Sequence, residues 1–176
     1  MLLSLVNLDD ETRQLMIEEI EMDITNRQLY LSARLSDIGQ LDYPVLLKQA
    51  AKSYDDEWLA SQLQRNDRLN ATEQRRIKSG YMMAKIPVNA HITIAEGEFN
   101  KFYIRGLCRR AMNEGISSLI IYRAKEVMNP RPESQTKIGT TIDARALLHD
   151  LRANSGDDRA SGLLGAPNSG LSVKLP

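Results

Sequence analysis

Lys101, Arg105 and Arg109 fall at i, i+4 and i+8, with Arg110 beside the last, so on a helix they line up as a cationic ridge. Ammonium and guanidinium groups in such a row hold the phosphates of a nucleic acid or the carboxylates of another subunit. The same spacing also serves a plainer purpose. Basic residues near a helix C-terminus complement its dipole, and Glu98 and Glu114 stand three and four residues away from ridge members. Solvated charge faces of this kind are the commoner case. Arg123 and Arg131 extend the basic character beyond the ridge, and Lys125, Lys137, Arg145 and Arg152 follow. Tyr81, Tyr103 and Tyr122 lie in the same region, but Tyr103 and Tyr122 sit in apolar stretches and read as core, so the cation-plus-ring pattern of a single-strand binder is thin.

Catalytic templates fit poorly. Arg145 and His149 are four apart on one expected helix, a spacing that would orient a scissile phosphate and serves an ordinary surface pair equally well. A metal-dependent nuclease wants an acid near the end of the strand at 119–125, where Arg123 stands instead. Phosphate loops, serine elbows and dinucleotide fingerprints are absent. With Cys108 the only cysteine and His91 and His149 the only histidines, no metal site and no cofactor is expected, and no intramolecular disulfide can form. Cys108 lies among apolar residues and reads as an inert core thiol.

The C-terminal tail carries a different signal. Leu171, Val173 and Leu175 alternate with polar residues, the pattern of a strand that adds to a sheet edge in this or another subunit. Glycines and prolines break regularity between Asn154 and that segment.

These groups depend on the elements that carry them. The strongest expected helix runs from about 94 to 114, with Ala95, Phe99, Phe102, Gly106 and Leu107 on its apolar face and Gly115 suited to end it. A buried strand at 119–122 follows, then an excursion at Asn129-Pro130-Arg131-Pro132, then a helix capped by Asp143. Upstream, an apolar segment at 2–6 reads as a strand. Asp9 or Asp10 caps a helix with Met16, Ile17, Ile20 and Ile24 inward and Glu18, Glu19, Glu21 and Asp23 outward. Alternation predicts a strand over 28–35 ending at Gly39, and Tyr43-Pro44 opens the first helix of a hairpin whose second is capped by Asp55 or Asp56. Residues 65–80 are polar and basic and read as an exposed loop, before an edge strand at 81–88 interrupted by Pro87.

The expected fold is α+β: a small mixed or antiparallel sheet packed on the long central helix, residues 1–154 forming one domain and 155–176 an extended tail ending in a short strand. Net charge is zero over 176 residues, yet residues 1–60 hold twelve acids against five bases while 61–153 hold sixteen bases against nine acids. Such halves close on each other within one chain or meet between copies. No apolar run is long enough for a membrane span. The apolar start lacks a basic leader and meets acid at Asp9, so the chain is expected to work where it is made, in a reducing cytoplasm, without membrane contact. Missing chemistry and segregated charge together point to a non-enzymatic assembly subunit with protein partners, a homo-oligomer or larger particle. The expected setting is a phage virion, as a minor capsid, decoration or head-to-tail junction protein. The alternative is a small nucleic-acid-binding or phosphate-processing protein using the basic 101–152 region.

Overall fold

The structure, a computed structural model, describes residues 2–128, 132–154 and 170–176. Among the described residues, six helices and five short strands form an α+β arrangement around one long helix. Helix α1 spans Asp10–Thr25 and starts where the Asp9 carboxylate accepts from the Thr12 N–H at 3.1 Å. Met16 and Ile20 are buried on its inner face, and Ile24 is exposed. Helix α2 spans Asp37–Ser53 and is capped by Ser36, so it begins seven residues before Pro44, which the helix holds in its interior. Residues 28–35 form no strand. Their alternation finds no neighbouring strand beyond a single bridge from Leu35 to Leu69, and Gly39 lies in the opening turns of α2. Helix α3, Asp56–Leu63, follows with Asp55 as cap and completes the expected helical hairpin.

The basic stretch read as a loop is half of a β-hairpin. Strand β1, Thr72–Ile77, pairs antiparallel with β2, Gly80–Lys85, across a two-residue turn at Lys78-Ser79. Pro87 lies beyond the strand rather than inside it. Helix α4, Ala90–Asn113, is longer at its start than expected and ends before Gly115, whose φ of +74° suits a residue without Cβ. Sixteen of its 24 residues are buried, including Phe99, Phe102, Tyr103, Ile104 and Leu107. Each of these large apolar side chains contributes about 1.5–3 kcal/mol by leaving water. Helices α1, α3 and α6 (Ala144–Ala153) and the strands β3 (Ser118–Arg123) and β5 (Leu171–Lys174) pack around α4, so it is the axis of the core.

Strand β3, Ser118–Arg123, is flanked on both sides. On one edge is β4, Thr141–Asp143, and on the other β5, Leu171–Lys174, both antiparallel. A short helix α5, Pro132–Lys137, and helix α6, Ala144–Ala153, capped by Asp143, lie between them in sequence. The apolar N-terminal segment is not a strand either. Leu3 and Leu5 are buried, and the Ser4 N–H donates to the Ala124 carbonyl at 2.8 Å.

Candidate interaction surfaces

The acidic and basic halves meet inside the chain. The Arg105 side chain, fully buried, donates through both terminal nitrogens to Asp23 at 2.6 and 2.8 Å and through Nε to Glu19 at 2.9 Å. The Phe102 ring lies 4.8 Å from the guanidinium. Arg152 of α6 also binds the Glu19 carboxylate, with Nε at 3.0 Å. Glu19 therefore joins three helices. Burial works to raise its pKa, but the hydrogen bonds from Arg152 and Arg105 outweigh burial and hold it below the usual carboxylate range.

The other ridge residues have partners of their own. Lys101 is buried in an ion pair with Glu98 at 2.8 Å, with the Tyr30 ring centroid 5.5 Å from its Nζ. Arg109 reaches Glu18 at 2.8 Å, and Arg110 bridges Asp9 at 2.6 Å and Glu114 at 2.8 Å. Arg105, Arg109 and Arg110 thus form the α1–α4 seam, while Lys101 pairs within α4. Two acids expected on the outside of α1, Glu19 and Asp23, are buried partners of that ridge. A sequence signal for them existed: Phe102, Tyr103, Ile104, Leu107 and Cys108 surround Arg105 in α4, so a cation there needs a buried acid, and Glu19 and Asp23 stand one turn apart beside Met16 and Ile20. Arg123 ends β3 opposite Leu171. Arg131 lies outside the described residues.

The tail strand docks on its own chain. Leu171, Ser172 and Val173 are buried, with Ile121 opposite Val173 in the ladder. Asn100 of α4 donates to the Leu171 carbonyl at 2.9 Å and accepts from the Ser172 hydroxyl at 2.7 Å, while the Tyr103 hydroxyl donates to the Val173 carbonyl at 3.2 Å. Leu175 is partly buried, and its N–H donates to the Asn7 side chain at 3.0 Å. Gly170 makes the approach: at φ +63° its carbonyl accepts from the N–H groups of Ala124 and Lys125, and a Cβ there would sit 2.4 Å from the Lys125 carbonyl oxygen.

Other surfaces have no such cover among the described residues. Hairpin β1–β2 packs extensively on no other described element and is exposed along both strands except at the half-buried Glu73 and Ala84. Its base is held by Arg34, which donates to Glu73 at 2.6 Å, and by Asn70, whose N–H donates to the Arg34 carbonyl at 2.9 Å. Beyond that base, Tyr81 is 66% and Met83 63% exposed, with Met82 and Ile77 exposed on the other face. Helix α2 adds an outward apolar stripe at Ile38, Leu41 and Val45, and a groove of about 560 Å³ lies between α1 and α2, lined by Ile17, Ile24, Pro44 and Val45 with Glu21 and Lys48 paired across it.

A cleft of about 450 Å³ lies where α6 meets the end of α4, lined by Gln28, Met112, Arg145, His149 and Arg152. Arg145 and His149 are exposed there. Cys108 is buried, and burial pushes its thiol up to about 12, so it is held as the protonated form at neutral pH. Among the described residues no three His, Cys, Asp or Glu side chains gather as a metal site, and no helix is long and apolar enough to cross a membrane.

No protein-family model, curated protein or solved structure matches this chain.

Proposed function

We propose that this chain is a subunit of a protein assembly and acts through surface contact rather than catalysis. The observation that carries the reading is the projecting hairpin: two strands with no extensive packing on another described element, presenting Tyr81, Met83, Met82 and Ile77 to solvent. An isolated two-stranded ribbon is marginal in water, and exposed apolar strands mark pairing sites. The apolar stripe on α2 is a second surface of the same kind. Light scattering coupled to size exclusion tests the reading: a mass above the 19.9 kDa of one chain, rising with concentration, is expected, and a constant 19.9 kDa overturns it. In the phage setting the chain co-sediments with purified particles after high-salt washing, whereas loss to the supernatant removes that setting.

A second reading is anion binding, as a nucleic-acid-binding or phosphate-processing protein, and the Arg145–His149–Arg152 cleft is what favours it. Single-strand DNA affinity that falls steeply with salt, and is lost in Arg145→Glu, would place this reading first.

A further inference from the structure

We infer that the outer edge of β2 pairs antiparallel with β2 of a second copy, joining two hairpins into one four-stranded sheet in the order β1-β2-β2-β1. The inference rests on the assembly reading and names its partner.

The two edges of the hairpin differ in charge. β1 carries Glu73, Arg75 and Arg76, and charged side chains on an edge strand discourage pairing. β2 reads Gly80-Tyr81-Met82-Met83-Ala84 before Lys85, with no charge over five residues. Its outward backbone groups are set by the register. The Ile86 N–H donates to the Ala71 carbonyl at 3.2 Å, so Ala71 and Ile86 form a hydrogen-bonded pair, and alternate pairs inward from it are hydrogen-bonded too. Gly80, Met82 and Ala84 therefore point their N–H and C=O groups at β1, and Tyr81 and Met83 point theirs at the free edge.

A second copy of the same edge satisfies those groups. A two-fold axis normal to the sheet at Met82 sets each Tyr81 opposite Met83 of the other copy in a hydrogen-bonded pair, twice over, with Met82 facing Met82. Ring-to-thioether contact across the strands is favourable, and an aromatic cross-strand pair stabilises a sheet. No like charges are directly opposed at the new seam, where Lys85 falls opposite Ser79 of the other copy and beside its Lys78. The two β1 strands end three strand spacings apart, about 14 Å, which exceeds the Debye length of about 8 Å at physiological salt. The hairpin as a whole has four basic residues against one acid, so salt tightens this contact by screening. An assembly held by the acidic and basic halves would instead loosen.

Sedimentation equilibrium on the full chain tests the pairing with two double variants that leave the packed core untouched. Tyr81→Lys with Met83→Lys sets lysine against lysine across the axis and is expected to weaken the dimer at least tenfold. Tyr81→Glu with Met83→Lys sets opposite charges in that register and is expected to restore it. Met82→Cys supplies a second readout. Directly opposed Cα atoms in a non-hydrogen-bonded pair are about 4.5 Å apart, within disulfide reach, so oxidation yields a covalent dimer that the wild type with its buried Cys108 does not form. An oligomer that ignores both double variants and does not cross-link overturns the strand pairing and leaves the assembly reading standing. A wild-type monomer at every concentration overturns both. A monomer whose hairpin binds single-stranded DNA overturns both in favour of a foreign anionic partner.

Discussion

Arg105 is the residue whose role changes most between a linear reading and the folded chain. As one rung of a basic ridge it looks available, but in place it is the buried cation that neutralises Glu19 and Asp23. Removing it leaves two carboxylates in the core, which for a broken buried pair costs about 3–5 kcal/mol. Arg105→Met is therefore expected to lower the urea midpoint sharply, and Arg105→Glu reports on folding before it reports on any partner. A merely exposed ridge residue would shift the midpoint by under about 0.5 kcal/mol in equivalent stability. Asp56 supplies the pH dependence. Its carboxylate accepts from the Leu2 and Leu3 N–H groups, and burial pushes its pKa up to about 6. The folded chain thus keeps a proton that the unfolded chain, near the ordinary 3.9, has released. Stability from this group is full below about pH 4 and is lost as pH rises through about 6, on the order of 2–3 kcal/mol. Glu19 has the opposite sign, since a lowered pKa gives stability above the ordinary carboxylate range that disappears as pH falls. Urea titrations of the wild type and Asp56→Asn at about pH 2, 4 and 7 separate them: the variant flattens the loss between about pH 4 and 7 and keeps the loss on the acid side of 4.

Among the elements, β5 and the hairpin are opposites. β5 is short, but its side chains are buried against α4 and its backbone is held by Asn100, Tyr103 and Ala124. Val173→Ala is expected to cost about 2 kcal/mol by cavity formation, and Gly170→Ala to cost more than 1 kcal/mol because the new Cβ meets the Lys125 carbonyl. Thermal unfolding measures both, and unchanged melting temperatures would mean that the strand does not contribute to the core. The hairpin adds almost nothing to that core. Replacing residues 73–84 by a three-residue Gly-Ser-Gly turn is expected to change the unfolding free energy by less than about 1 kcal/mol while lowering the mass in solution. Strand β2 was legible as part of the edge strand expected at 81–88, but β1 escaped the linear reading because Thr72–Ile77 alternates polar with polar and buries neither face, so the period of two leaves no hydropathy trace.

Taken together, the chain reconciles a zero net charge with strong segregation by closing the halves internally: α1 gives the acids and α4 and α6 the bases. Exposed apolar side chains remain outside at the hairpin, beside its own basic residues, and on α2. High salt should therefore leave the fold intact and act on association alone, which circular dichroism and light scattering on one salt series will separate. Several features were legible in the order of residues. The caps at Asp9, Asp55 and Asp143 bond to N–H groups three positions on, and the α4 stripe and the alternation at Leu171 to Leu175 arise from side-chain periods along one element. Partnership over distance was not. Residues 28–35 and 171–175 alternate alike, yet only the second is a strand, because only it reaches an edge, β3, that can bond its N–H and C=O groups. Arg105 meets Glu19 and Asp23 across more than eighty residues for a related reason. Local pattern determines which face an element buries, but a buried charge or an open ladder is completed by whichever group the packed chain brings within about 3 Å, and that is a property of tertiary structure alone.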